Sequence, residues 1–389
     1  MRRRRSRFRW WTNGLQRYLD FNATCPPLEA ALEAQLDAAR QAYGNPSSLH
    51  WAGRHARRLL DDARDALAAY VGAESGSVVF TSGGTEASNL AISGYCATQK
   101  PGHIITTAIE HPAVLQPVAR LEEAGWQVTR LRPAKSGAIC EDDVAAALRD
   151  NTRLVAVMAA NNETGVMQPI AAIGALCRER NVAFLVDAVQ MLGKSKVSLR
   201  DWQADFISLS AHKIGGPRGV GALIVRRGMS LKEIAPGGGQ ERKRRSGTEN
   251  VPGIAGFAAA LGGMDFASLA RMRDDFEASL TAHMKDVVIF GQDARRTPNT
   301  SMFCIPGLDG ETLLMQLDLA GFAVAAGSAC SSGKREPSHV LLAMAASQEQ
   351  ARSSLRVSFG PTNTAEDATA LVAELGRIRQ RLRNMAGAA

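Results

Sequence analysis

The chain lacks the marks of several common protein classes. Six cysteines (Cys25, Cys96, Cys140, Cys177, Cys304 and Cys330) are scattered over 389 residues with no CxxC pair. That spacing argues against a disulfide framework and against a zinc site, and leaves reduced thiols as the default. Five of the six are expected to pack as small hydrophobes, with Cys330 set apart. No run approaches the roughly 20 apolar residues that cross a bilayer. The richest, Ile254 to Met264, is short and interrupted by glycine. Acidic residues are missing before Asp20, while seven arginines between residues 2 and 17 account for all but one of the net charge of +8. The folded body is therefore near neutral, and nucleic acid is not an expected partner. Residues 1–17 read as a basic, disordered arm; a targeting segment, or a stretch upstream of the true start, are the other readings.

What is present is a globular enzyme's composition, 45% hydrophobic and 22% charged. Apolar strand-like runs (Val78–Phe80, His103–Thr107, Gln127–Leu131, Leu154–Ala159, Ala183–Val186, Phe206–Leu209, Val220–Val225) alternate with amphipathic stretches. The latter cover His55–Tyr70, Glu86–Ala97, Pro112–Glu123, Asp142–Leu148 and Ile170–Arg180. This alternation predicts an α/β fold with a mostly parallel central sheet in a large domain, residues 18–262. The pattern loosens around Gly253 to Gly263. A long helix (Phe266–Met284), short strands (Val287–Phe290, Asn299–Ile305, Ala323–Ala325, Ser354–Phe359) and two further helical stretches then predict a smaller α+β domain, residues 263–389. The N-terminal segment is expected to complete it. Ligands of such folds bind beyond the carboxyl ends of the strands.

Eight polar features stand at such ends, on glycine-rich loops or within a strand. Lys213, in Ser210-Ala211-His212-Lys213-Ile214-Gly215-Gly216, follows an apolar strand, where burial lowers an amine's pKa and makes it a nucleophile toward an aldehyde. Gly83-Gly84-Thr85-Glu86 opens a helix after a strand and offers free N–H groups to a phosphate, although Thr85 serves equally as an N-cap. His111 either stacks on a ring and moves protons or is a capped loop histidine. The carboxamides of Asn161 and Asn162 either meet a ligand or build a turn. Asp187 closes an apolar run, and its buried carboxylate calls for a cation or a donor; Gln190 follows three residues later. Arg245-Ser246-Gly247-Thr248 reaches a phosphate or is a solvated loop. Cys330, among small residues and glycines, lies on an exposed loop unlike a core thiol. Arg356, in an alternating strand, suits a bidentate carboxylate or an internal salt bridge.

In their order these motifs (Thr-Ser-Gly-x-Thr-Glu, Glu-His, Asn-Asn-Glu-x-Gly, Asp-Ala-x-Gln, Ser-x-His-Lys, Arg-Ser-Gly-Thr, Gly-Ser-Ala-Cys and Arg-x-Ser-x-Gly) closely resemble the cysteine desulfurases of the NifS/IscS type. These are pyridoxal-phosphate enzymes of fold type I in the class V aminotransferase group. The likeness runs from Tyr18 to Met385, with only the arginine arm outside it. It implies that Lys213 is the Schiff-base lysine, Asp187 the partner of the pyridinium nitrogen, His111 the stacked ring and Gln190 the contact to the phenolic oxygen. It implies that Gly84, Thr85, Ser210 and His212 lie at the phosphate, with Thr248 supplied by the second subunit of a homodimer. Asn162, beside the cofactor, and Arg356 would bind the carboxylate of L-cysteine. Cys330 would be the nucleophile that takes sulfur as a persulfide and releases alanine. No metal is implied. The segment from Cys330 to Leu341 resembles the long-loop branch that serves iron–sulfur cluster assembly, so a scaffold or other sulfur-acceptor protein is the expected partner and the cytoplasm the expected location. Two alternatives are a selenocysteine lyase-like enzyme and an inactive scaffold member.

Three positions depart from the pattern. Gly84 stands where alanine is usual, Gly215-Gly216 where a bulkier residue is common, and Ala345-Ala346 where a glycine usually closes the segment after the loop.

Overall fold

The computed structural model describes residues 16–327 and 336–387. The N-terminal half runs β1 (Arg17–Tyr18), α1 (Glu29–Gln41), α2 (Trp51–Tyr70), β2 (Val78–Thr81), α3 (Gly84–Cys96), β3 (His103–Thr107), α4 (Pro112–Glu123), β4 (Gln127–Leu131), α5 (Glu141–Ala147), β5 (Thr152–Met158), α6 (Ile170–Glu179) and β6 (Ala183–Asp187). It continues through β7 (Phe206–Ser210), β8 (Gly221–Val225), α7 (Val251–Ala260), α8 (Leu269–His283), β9 (Val288–Phe290), β10 (Thr300–Cys304), α9 (Gly310–Leu319), β11 (Phe322–Ala323), β12 (Ala325–Ala326), α10 (His339–Ala343), α11 (Gln348–Arg352), β13 (Ser354–Ser358) and α12 (Ala365–Gly387).

Seven strands form the main sheet in the order β2-β8-β7-β6-β5-β3-β4. All its pairings are parallel except those of β8, which runs antiparallel to both neighbours. Strand residues alternate between two apolar layers, because successive side chains leave a strand on opposite faces. Val155, Val157, Phe184 and Val186 join the layer formed with α2, α6 and α7. Leu154, Ala156, Ala183 and Leu185 join the layer formed with α3 and α4. Burial on both faces is why these strands read as continuous apolar runs. The edge strand β4 alternates with Thr129 and Arg130 and is only partly covered.

A second, antiparallel sheet has the order β12-β13-β10-β9, and β1 pairs in parallel with β11. Leu19 and Phe21 share an apolar cluster with Phe276, Phe303, Leu355 and Leu375, so the N-terminal segment packs against C-terminal elements. Among the described residues no helix is long and apolar enough to cross a membrane.

Three features differ from the sequence expectation. The stretch around Gly253 to Gly263 does not loosen: most of it is α7, started by Asn250, whose Oδ1 accepts from the Gly253 N–H at 3.1 Å. Its glycines are contact points rather than breakers, since a Cβ on Gly256 would lie 2.6 Å from Pro217 and 2.9 Å from the Ala31 carbonyl. Helix α1, which packs there, also escaped the sequence pattern. Finally, Cys140 is exposed, while Cys25, Cys96, Cys177 and Cys304 are buried.

Ala345 ends α10 in the left-handed region, at φ 63°. Its N–H donates to the Leu342 carbonyl and the Ala346 N–H to the Leu341 carbonyl, the paired bonds of a Schellman cap. A glycine reaches that conformation without the Cβ clash, which costs an alanine about 1–2 kcal/mol. Ala345→Gly should therefore raise the unfolding free energy by about 1 kcal/mol, after its greater unfolded-state entropy is subtracted. Denaturant titration checks this, and a destabilised variant contradicts it.

Candidate active site

A cavity of about 380 Å³ opens beyond the carboxyl ends of the central strands. Its lining includes Gly84, Thr85, His111, Asn162, Asp187, Gln190, Ser210, His212, Lys213 and Arg356. Residues separated by up to 272 positions of sequence thus converge on one volume, because all of them but Arg356, which lies within β13, follow or end a strand of the main sheet.

Lys213 lies in the short turn after β7. Its Nζ donates to the backbone carbonyls of Asn22 and, at 2.9 Å, Ala23. Burial, reinforced by the nearby Arg356 cation, lowers its pKa to about 8. Asp187 ends β6; its Oδ1 accepts from the Val189 N–H at 3.0 Å. Ser208 supports the same carboxylate, and Ser88 of α3 donates to Ser208 at 3.0 Å. Burial pushes the Asp187 carboxyl up, and it makes no ion pair among the described residues. A cationic donor reaching it from the cavity would satisfy it.

His111 is a helix cap that also lines the cavity. Its Nδ1 caps α4 by accepting from the Ala113 N–H at 3.0 Å, which places the proton of the neutral ring on Nε2. Burial lowers its pKa, keeping the ring neutral. The two adjacent asparagines divide the work. Asn161 Oδ1 accepts from the N–H groups of Glu163 and Thr164 and builds the turn, whereas Asn162 lines the cavity. Arg356 makes the internal salt bridge and also lines the cavity. It pairs with Asp20 at 2.6 Å and donates to the Asn162 carbonyl at 3.0 Å, yet its Nε is buried without a partner.

Helix α3 begins at Gly84 without a side-chain cap, so its first N–H groups remain available to an anion. A Cβ on Gly84 would come 2.5 Å from Val189 Cγ2; the usual alanine would require Val189 to move. The space beside this turn is bordered by Thr24, Ser210, His212 and Arg218. His212 is held near pKa 4 by burial and the neighbouring cations Lys213 and Arg218, so it faces an anion as a neutral ring. Gly215 and Gly216 do not leave a gap, since Met264, Leu28 and Ala211 approach closely enough to meet a Cβ at either position.

One expected residue, Thr248, is not in this cavity. Thr248 borders a separate small pocket with Arg245, Glu249 and Asn250, and Cys330 lies outside the described residues. The segment resuming after it is nonetheless tied to the strand ends. Ser338 donates to the buried Glu163, and His339 Nε2 meets the Glu110 carbonyl at 3.0 Å. The Glu110 side chain is fully enclosed, accepting from Thr107 Oγ1 and the Met158 N–H; burial pushes its carboxyl up to about 8.

Sequence reasoning did not assign roles to Asn22, Asp20, Arg218 or Lys194. Lys194 was legible only through its position four residues after Gln190, the spacing that brings two side chains together on one turn.

An alkylamine of lowered pKa, a buried unpaired carboxylate and an uncapped helix start match the aldehyde, ring nitrogen and phosphate of pyridoxal phosphate, so the residues present fit that group. The "Aminotransferase class-V" family profile matches residues 17–371. A protein named "Cysteine desulfurase IscS" from Dictyoglomus turgidum is 39% identical over 376 residues, 95% of each chain. A solved structure titled "NIFS-LIKE PROTEIN" superposes with a TM-score of 0.87 at 32% identity, over 94% of this chain and 99% of its own. Another, "SspA in complex with cysteine", gives 0.81 at 32% identity, over 89% and 99%. With its motifs in register along nearly the whole length, the chain belongs to the class-V aminotransferase family, among the cysteine desulfurases.

Proposed function

We propose that this protein converts L-cysteine to L-alanine with pyridoxal phosphate and passes the sulfur to Cys330 as a persulfide. The observation that carries the reading is the convergence of Lys213, Asp187 and His111 on one cavity, with Arg356 at its edge. Lys213 would hold the cofactor's aldehyde carbon, Asp187 its ring nitrogen, His111 its ring face and Gln190 its phenolic oxygen. Thr85, Ser210 and His212, with the first N–H groups of α3, would hold its phosphate. Bound there, pyridoxal phosphate supplies an electron sink for charge developing at the substrate α-carbon.

The chain's own residues supply the rest. Arg356 and Asn162 anchor the substrate carboxylate, which orients the α-proton and the sulfur. Lys213, with a pKa near neutrality, is matched to moving that proton. His111, neutral and with its proton on Nε2, offers an N–H donor on the cavity side. Cys330 thiolate takes the sulfur: an S–S bond forms as the substrate C–S bond breaks, and the carbon is protonated to alanine.

The body is read as two domains, 18–262 and 263–389, bordering the cavity, and the protein as a cytoplasmic homodimer. Thr248's place away from the cavity supports a second subunit as the one it serves. So do exposed apolar side chains on one segment, Leu49 at 90% and Trp51 at 66%. An iron–sulfur scaffold or another acceptor protein would receive the sulfur, in keeping with relatives named as cysteine desulfurases.

Purified protein loaded with pyridoxal phosphate should be yellow and should release alanine and sulfide from L-cysteine in the presence of a thiol. Cys330→Ser should stay yellow and lose sulfide release by at least about 10²-fold; full activity in that variant contradicts the persulfide route. Capture of the cofactor by apoprotein requires the neutral Lys213 amine. Because burial brings that pKa down from 10.5 to about 8, the neutral fraction grows as pH rises through 8. The rate at which the visible band appears should follow this midpoint, and one near 10 would show that Lys213 is an ordinary solvated lysine.

A further inference from the structure

Lys194 is a buried lysine without a role in the reaction outlined above. It is 5% exposed, and its Nζ lies 5.7 Å from the centre of the Phe266 ring. That ammonium donates to Asn22 Oδ1 and, at 2.7 Å, to Gln190 Oε1. Gln190 Nε2 donates in turn to the Asn22 carbonyl at 2.9 Å, and the Lys213 amine donates to the same carbonyl. Both carboxamide residues line the cavity. A burial this complete is costly for a cation unless its protons are all placed.

The consequence lies in donor and acceptor identity. An ammonium has three donors and no acceptor, so any carboxamide against it must turn its oxygen inward. For Gln190 this fixes the NH2 group on the opposite side, where one N–H goes to Asn22 and the other is left for the cavity. Gln190 can then meet a ligand only as a donor. The same constraint turns Asn22 Nδ2 toward the Asn162 carbonyl and Thr300 Oγ1, at 3.1 and 2.9 Å. Without the ammonium only the Asn22 carbonyl, which Lys213 also engages, orders the Gln190 amide, and the orientation that presents a carbonyl to an anionic oxygen loses its strongest opposition.

We propose that Lys194 is a positioning residue that locks the carboxamides of Gln190 and Asn22, so that Gln190 faces the cofactor's phenolic oxygen as a hydrogen-bond donor. This rests on the pyridoxal-phosphate reading of the cavity. Burial lowers the Lys194 pKa to about 7, with Cys25 opposing and Lys213 and Arg356 reinforcing the shift, so the donor-only ammonium is the dominant form below that pH.

A donated hydrogen bond stabilises negative charge on the phenolic oxygen and favours the deprotonated chromophore. Its loss should therefore raise the pH midpoint of the cofactor's visible band. The test is a spectrophotometric titration of holoenzyme for wild type, Lys194→Met, Gln190→Met and the double variant, with far-UV circular dichroism on each. Each single variant should raise the midpoint by about one unit, a tenfold change in the equilibrium. The double variant should move no further than Gln190→Met alone, because Lys194 acts through Gln190. An unmoved midpoint in Lys194→Met, or shifts that add in the double variant, would overturn the proposal. Should Lys194→Met not keep the wild-type dichroism, Lys194→Arg takes its place. Its guanidinium is also donor-only and should keep the wild-type midpoint, whereas a rise as large as that of Gln190→Met overturns the proposal. Wild-type protein that gains no visible band with pyridoxal phosphate sinks the functional reading itself; a band indifferent to Lys194 sinks this inference alone.

Discussion

The cavity depends on one buried carboxamide, Asn22. Its backbone N–H donates to Ser358 Oγ of β13 and its side chain to Thr300 Oγ1 of β10. Its carbonyl accepts from Gln190 and Lys213, and its Oδ1 accepts from Lys194 and Asn299. Asn22 therefore ties the smaller sheet to the turns that follow β6 and β7 of the larger one. At 2% exposure no water replaces a lost partner, and each group left unpaired there would cost about 1–3 kcal/mol. The N-terminal segment is thus a structural wall of the cavity as well as a strand that completes a neighbouring sheet.

Strand alternation supplies the other constraint. Because Asp187 and Ser208 share the parity of Leu185 and Phe206, they belong to the layer that contains α3. Ser88 on that helix can then steady the carboxylate through Ser208. The same helix starts with its free N–H groups at the cavity. One α/β unit therefore sets both an anion site and a buried anion, with Lys213 at the end of the adjacent strand. Parallel strands place all of these at one edge, which is why a single side of the sheet holds the chemistry.

Much of this was legible from local pattern. Lys213, Asp187 and His111 stand out because an apolar strand stops at, or just before, a polar group, and that transition is visible in a short window. The glycine turn before Thr85 is similar. What stayed hidden depends on packing between distant segments. Helix α7 was misread because its glycines resemble breakers until Ala31 and Pro217 are seen against them. Asn22 and Lys194 were missed because their meaning lies in partners 168 and 172 positions away. The paired alternatives for His111, the two asparagines and Arg356 could not be separated by sequence; the structure shows the structural member of each pair and also places His111, Asn162 and Arg356 at the cavity.

Arg356 shows why such pairings are compatible with binding. A guanidinium has five N–H donors. Asp20 and the Asn162 carbonyl each engage one, from Nη2 and Nη1, and the Nε donor has no partner. The internal ion pair consequently orients the fork without exhausting it. It also spares a largely buried cation from standing alone before substrate arrives, which would be the costlier state. A carboxylate entering the cavity would meet a guanidinium already held in place, with donors to spare. The Asp20 carboxylate tempers the attraction through its opposite charge. The ion pair that a sequence reading sets against substrate binding would, in this geometry, prepare the arginine for it.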